Sequence, residues 1–269
     1  MGAEHGHTLH YHGHSRVHAM PAHLKVVSLL GFVLLVVATP RETLWPYAAH
    51  LAALGAAVRA ARVPAAYLMK RLVVELPFVA FAVALPFVAT GPRVVVAGLT
   101  VSQPGLWAAW AVLAKGTLGV LAALLLAATT EPRDLLIGLR RLRLPDQLVQ
   151  IMGFMVRYVD VVAAELRRMS IARVSRGFDA RSPRHWPVLA RSLGALFVRS
   201  YERGERVHLA MLARGYAGAL PNLGQAPVAR ADLLAAVALP SAAAVVWVTA
   251  RLAGSGLADS GLAGLGGLP

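Results

Sequence analysis

The sequence contains no cysteine. Disulfides, thiolate nucleophiles and cysteine-based zinc sites are therefore excluded, and redox usage says nothing about the compartment. The motifs of nucleotide and hydrolytic chemistry are missing too. No GxxxxGK loop followed by Ser or Thr is present to cradle a phosphate, and HExxH, GxSxG and the HRD…DFG set are absent. Acidic residues are scarce, 13 against 27 Lys and Arg, which leaves a formal net charge of +14. In a soluble domain that excess points to nucleic acid. Here the basic residues are spread unevenly between apolar runs, so membrane topology accounts for them better.

Apolar residues are what the chain has in abundance. They make up 57% of it, and its mean hydropathy is +0.60; soluble domains usually hold about 45–50%. Several runs reach the 17–25 residues, roughly, that cross a bilayer. The first covers His23 to Thr39 and is stopped by Pro40, since proline removes a helical hydrogen bond. The second covers Leu44 to Ala61, rich in the small residues that let membrane helices approach closely. The third covers Leu72 to Thr90, with Pro77 and Pro86 inside it, and the fourth Gly105 to Ala128. A last run extends from Ala231 to Leu252. The expectation is an all-α polytopic membrane protein with about five transmembrane helices. The His-rich stretch 1–22 reads as a polar tail and not as a cleaved signal peptide. Residues 23–130 hold the first four spans, 217–253 a linker and the final span, and 254–269 a mobile Gly-rich tail.

The loops orient these spans. Arg41 is the one basic residue between spans one and two, and Arg93 the one between three and four. Arg59, Arg62, Lys70 and Arg71 separate spans two and three, and Arg133, Arg140, Arg141 and Arg143 follow span four. Basic loops stay in the cytoplasm. The N-terminus and the region after span four are therefore expected inside, and the C-terminal tail outside, in a cell (inner or plasma) membrane.

Residues 131–216 differ in character. They carry sixteen of the 27 basic and eight of the 13 acidic residues. Thr130 followed by Glu131-Pro132 reads as a helix start with a capping hydroxyl and proline in the first turn. The short amphipathic helix "RDLLIGLRRLRL" stops at Pro145. A second helix is expected from Asp146 to Ser175, where Leu148, Ile151, Met152, Met155, Val159, Val162 and Leu166 recur every three or four residues. A third is expected from Pro187 to Arg214, with Leu189, Leu193, Leu196, Phe197, Tyr201, Val207, His208 and Met211 on one face. Such stripes predict helices half-buried against something apolar.

Both long helices close on one pattern: Ser175-Arg176-Gly177-Phe178 and Ala213-Arg214-Gly215-Tyr216. Glycine after a helix takes the left-handed conformation cheaply, and arginine in the last turn complements the helix dipole. Taken singly, each is an ordinary helix end. As a pair they are two planar guanidinium forks, suited to carboxylates, placed to meet two similar acidic pockets.

With "VHAMPAHLKVV", the Pro-stopped "DLLIGLRRLRLP", the "VRYVDVVAAELRRM" helix and the paired Arg-Gly ends, residues 16–252 resemble the transmembrane T component of energy-coupling-factor transporters, in its cobalt/nickel (CbiQ-like) subgroup. That resemblance implies long amphipathic cytoplasmic coupling helices whose two Ala-Arg-Gly signatures dock into two ABC-type ATPase subunits. Ser175, Arg176, Gly177, Ala213, Arg214 and Gly215 are the docking residues it implies, Ser175 departing from the usual alanine. It implies uptake of Co2+ or Ni2+ through a separate membrane-embedded S component. ATP and Mg act on the partner subunits, no cofactor is bound by this chain, and no nucleic acid partner is implied. The chain is then no enzyme.

Other residues invite a functional reading. Seven of the ten histidines lie within residues 1–23. His5, His7, His10, His12 and His14 among them have spacings suited to Ni, Co, Cu or Zn; the bland alternative is a tail that binds metal without consequence. Lys115 falls inside span four and Glu75 near an end of span three, and intramembrane charges are functional by default. A buried polar contact for Lys115 and snorkelling for Glu75 are the plain alternatives. His50 and His208, among apolar neighbours, read as packed, hydrogen-bonded histidines. Four rival functions remain. A self-contained secondary transporter or channel would show matching halves with broken helices, which are not evident. A membrane enzyme would hold its histidines on a rigid element. An ordinary ABC permease would show one coupling loop. A T component serving a vitamin-type S component would look alike in this chain.

Overall fold

The structure is a computed structural model, which describes residues 11, 13, 15–96, 99–178, 182, 185–218 and 228–263. The chain forms two compact units, Leu9–Asp134 with Pro227–Pro269, and Leu135–Ala226.

The first unit is made of apolar helices. After the short α1 (Arg16–Ala19), α2 (Ala22–Ala38) and α3 (Trp45–Ala61) follow the expected first two runs. The third span begins earlier than its composition predicts. α4 (Ala65–Arg71) passes through a 3-10 turn, Leu72–Glu75, into α5 (Leu76–Val88). Lys70 and Arg71 are thus helical, because Pro64 fixes the entry and Ala65-Ala66 favour the helix that follows. The loop to α6 (Gln103–Thr129) holds an antiparallel hairpin, β1 (Arg93–Val96) with β2 (Leu99–Ser102), in register Arg93↔Ser102 and Val94↔Val101. Its Val-rich run has the β-branched composition of strands, and it lies between the expected third and fourth spans.

α10 (Arg230–Ala263) closes the unit. It extends past Leu252 through ten residues expected to be a mobile tail. No proline interrupts that stretch, and a nucleated helix propagates at little cost per residue.

This unit carries apolar side chains both inside and outside. A stripe on α6, Leu118, Ala122, Leu125 and Ala128, meets Phe32 and Val36 of α2, Tyr47 and Leu54 of α3 and Ala243 of α10 in one cluster. Polar groups lie inside with it: Lys25, Ser28, Thr39, His50 and Glu75 are buried. Leu30, Leu34, Leu51, Phe78, Phe81, Phe87 and Leu234 are exposed instead. Apolar area on this scale has no place in water, whereas lipid accepts it and requires internal partners for polar atoms. The chain is an all-α polytopic membrane protein. Helices are closely apposed where side chains are absent: a Cβ on Gly105 would sit 2.8 Å from Pro86 Cα and 2.9 Å from the Leu85 carbonyl oxygen.

Among the described residues, the helices both long and apolar enough to cross a membrane are 65–88, 103–129, 146–175 and 230–253. The first two expected spans form shorter helices of 17 residues, and residues 146–175 are the helix read as amphipathic. That helix carries Glu165, Arg167, Arg168 and Arg173 in its second half.

The second unit contains the rest of α7 (Pro132–Arg141), α8 (Asp146–Ser175) and α9 (Trp186–Leu212). Thr130, expected to cap α7, does not: its hydroxyl is buried without a hydrogen-bond partner among the described residues. Pro132 does open the helix, where its missing N–H costs nothing. The apolar stripes are only partly covered by this chain: Met152, Val162, Leu189, Val207 and Met211 are half-buried. No residue of α8 is buried, and on α9 only Leu196 is. Leu148, Ile151, Met155, Leu193, Phe197 and Tyr201 are all exposed.

Candidate functional site

The two Arg-Gly signatures form the same structure. Gly177 has φ +74° and Gly215 φ +81°, a left-handed conformation open to glycine at no steric cost. The chain thereby turns back on its own last carbonyls. Phe178 N–H donates to Arg173 O at 3.1 Å and Gly177 N–H to Val174 O at 2.9 Å. Tyr216 N–H donates to Met211 O at 3.0 Å and Gly215 N–H to Leu212 O at 3.0 Å. Each is a Schellman cap, with a 6→1 and a 5→2 bond. Arg176 and Arg214 occupy the same position in it, the last residue before the left-handed glycine. Both arginines are exposed, as are Ser175 and Ala213 before them.

Each aromatic then reaches the beginning of a long helix. Phe178 packs edge-to-face on His185, just before α9, with ring centroids 5.2 Å apart. Tyr216 donates its hydroxyl to Gln150 Oε1 at 2.5 Å, in the first turns of α8, and Gln150 Nε2 donates to Gly218 O at 3.1 Å. His208, expected to be packed among apolar neighbours, is exposed and stands edge-on to Tyr216 at 6.4 Å. Between these ends Glu165 of α8 binds Arg199 of α9 at 2.6 Å and its own neighbour Arg168 at 2.6 Å.

The two intramembrane charges do not meet each other. Glu75 does not snorkel; it is 5% exposed, and Thr117 Oγ1 donates to its Oε1 at 2.6 Å. Gly116 gives it room, since a Cβ there would sit 3.3 Å from that oxygen. Lys115 Nζ donates to the Val37 carbonyl at 2.7 Å, a polar contact with the end of α2. His50 is fully buried and shares a 3.1 Å hydrogen bond with Thr39. His5, His7, His10, His12 and His14 lie outside the described residues. Among the described ones, no group of three or more His, Asp or Glu is placed to hold a metal.

Two residues that sequence reasoning passed over are structurally prominent. Lys25 is buried and donates to Thr129 O at 2.7 Å and His18 O at 3.0 Å. It caps the C-terminal carbonyls of α6, where a cation is favoured; the Tyr11 amide caps Ala128 O beside it at 3.0 Å. A lysine at the start of an apolar run was the available signal. Gln150 is the other, a polar residue within the apolar sequence Leu148-Val149-Gln150-Ile151.

A family profile described as cobalt transport protein, CbiQ, matches residues 13–225. The cobalt transport protein CbiQ of Rhodobacter capsulatus is 30% identical over 202 residues, covering 74% of this chain and 80% of that protein. The energy-coupling factor transporter transmembrane protein EcfT of Bacillus selenitireducens is 29% identical over 224 residues, covering 77% and 81%. A shorter match, 33% identical over 105 residues, covers 39% of this chain and 39% of an uncharacterized protein of Methanocaldococcus jannaschii.

Proposed function

Because the chain belongs to the CbiQ cobalt transport family and is a transmembrane component of an energy-coupling-factor transporter, we propose that it transmits ATP-driven motion from two ATPase subunits to a substrate-binding S component. The ATPases grip Arg176 and Arg214. Their closure moves α8 and α9, and the membrane unit reorients the S component. The cargo is a transition metal ion, Co2+ or Ni2+, carried by that S component. This chain performs no ATP hydrolysis; it has no P-loop to do so. Residues 131–216 face the cytoplasm, residues 254–269 the outside, and the exposed apolar stripes of α8 and α9 are covered by the membrane partner. The histidines of residues 1–22 bind such ions weakly and are dispensable for coupling.

The observation that carries this reading is the identity of the two caps: two exposed arginines at one position of the same backbone motif, ending the two long helices of one unit. Removing one partner of a buried, hydrogen-bonded charge pair costs about 2–5 kcal/mol, or roughly 30- to several-thousand-fold in affinity. Two docking points act jointly, since the second benefits from the effective concentration set by the first. Arg176→Ala or Arg214→Ala alone should weaken ATPase retention on the purified complex and slow cobalt uptake by cells. The double change should release the ATPases while the membrane unit stays folded. Lysine should rescue poorly, as it keeps the charge and loses the fork. If the double variant retained both ATPases and its uptake rate, the two arginines would be ordinary helix caps.

A further inference from the structure

The aromatic after each Arg-Gly does more than finish a cap. Phe178 leaves the end of α8 and packs on His185 at the start of α9. Tyr216 leaves the end of α9 and bonds Gln150 at the start of α8. Gln150 uses both ends of its amide, accepting from the Tyr216 hydroxyl and donating to the Gly218 carbonyl. The segment that follows Arg214 and Gly215 is therefore held at two points, Tyr216 and Gly218, by a residue 66 and 68 positions away in sequence. Each arginine itself is exposed and one residue from a left-handed glycine. Among the described residues, the cap and the following aromatic are what fix the backbone from which each side chain leaves.

We propose that Phe178 with His185, and Tyr216 with Gln150, are positioning pairs. Each aims one docking arginine by anchoring the residue after its glycine near the start of the other long helix. This rests on the reading of Arg176 and Arg214 as docking arginines. The two pairs differ in kind. The Phe178–His185 contact joins consecutive helices through ring packing, edge to face. The Tyr216–Gln150 bond closes the far end of the α8–α9 pair by a directional hydrogen bond. A movement of α8 that displaces Gln150 thus displaces Arg214, so the two docking points shift together and not as separate levers.

The hydroxyl of Tyr216 gives the clean test, because Tyr216→Phe keeps the ring and removes only the donor. The complete complex is purified with its ATPases, and their apparent affinity for the membrane subunit is measured in three backgrounds. With Arg176→Ala, binding leans on Arg214, and adding Tyr216→Phe should weaken it about 2- to 10-fold, the range of one hydrogen bond. With Arg214→Ala, adding Tyr216→Phe should change nothing, since the residue it aims is gone. In the chain otherwise unaltered, Gln150→Leu, which also loses the donor to the Gly218 carbonyl, should weaken binding at least as much as Tyr216→Phe, the two together should cost no more than Gln150→Leu alone, and Gln150→Glu, which keeps the acceptor, should bind the ATPases better than Gln150→Leu. Equal losses in both arginine backgrounds would reduce Tyr216 to general stability and overturn the proposal, as would no loss in the Arg176→Ala background. If Arg214→Ala alone left affinity unchanged, it is the docking reading that would fail. Amide exchange at residues 214–218 of the isolated chain then judges the anchor by itself: faster exchange in Tyr216→Phe is expected, and unchanged exchange would remove the anchor too.

Discussion

Arg199 Nη1 stands 2.6 Å from Glu165 Oε1, joining the middle of α9 to the middle of α8. The other carboxylate oxygen receives Arg168 at 2.6 Å and the same guanidinium's Nε at 3.2 Å. Arg168 and then Arg199, by these hydrogen bonds, hold the Glu165 carboxyl below the usual carboxylate range.

The direction of the pH effect follows. A lowered carboxyl in the folded state means that the unfolded chain binds more protons in acid. The contribution of this contact is complete above the ordinary glutamate value, about 4.3, and is lost as the pH falls through the lower folded one. Amide protection of α8 and α9 should decline in that window, and added salt should reduce it as well. Glu165→Gln should flatten this part of the profile. An unchanged acid response in that variant would assign it to other carboxylates.

The glycines of the two caps are predicted to be irreplaceable for conformational reasons alone. Nothing lies within 4 Å of a Cβ added at Gly177 or Gly215, so no clash contributes. Gly177→Ala and Gly215→Ala should each cost about 1–2 kcal/mol, the penalty of an L-residue in the left-handed region. Asparagine, which visits that region more readily, should cost less. Equilibrium unfolding in detergent measures the series, and an alanine variant as stable as the parent would mean the cap tolerates another geometry.

Thr117 is predicted to be the group that makes Glu75 acceptable inside the membrane unit. Thr117→Val removes the 2.6 Å donor from a buried carboxyl and should destabilise by about 1–3 kcal/mol. Glu75→Gln keeps an acceptor and should cost less than Thr117→Val while sparing uptake of the proposed metal cargo. Loss of uptake by Glu75→Gln at normal abundance would instead give the carboxyl a part in transport.

Lys25→Met keeps the stem and deletes the ammonium, leaving the Thr129 and His18 carbonyls without it. An unsatisfied buried polar group costs about 1–3 kcal/mol, so thermal unfolding should shift downward. A midpoint equal to the parent's would show that water takes over the cap.

Orientation is open to chemistry because the chain has no cysteine of its own. In intact cells, an impermeant thiol reagent should label Ser255→Cys and spare Ser182→Cys. The reverse pattern would invert the proposed topology.

The long helices were legible because hydrophobic runs and proline stops record them directly. α6 begins two residues before its expected start and ends one after its expected end. The hairpin at 93–102 was missed because it falls between the third and fourth spans, where strands of four residues are too short to show a period. Of the candidate site, the arginines and glycines were visible as a repeated string. Their aromatics were visible too, but not what they touch: Tyr216 and Gln150 are 66 residues apart, and no periodicity reports a contact between helices. Buried lysine is the clearest failure. Lys25 reads as a flank of the first span, and only the position of Thr129 shows that it is inside.

Lys25 and Thr129 are 104 residues apart, and this imposes an order of events on biogenesis. Chains are folded from the N-terminus as they are made. When α2 enters the bilayer, the carbonyl that will receive its lysine has not yet been synthesised. Until then the ammonium group has to remain hydrated among the lipid headgroups. Arrival of the end of α6 withdraws it from water. The first segment inserted therefore waits for a later one before its last polar contact forms, and a ribosome stalled before residue 129 would hold a chain that is inserted but unclasped.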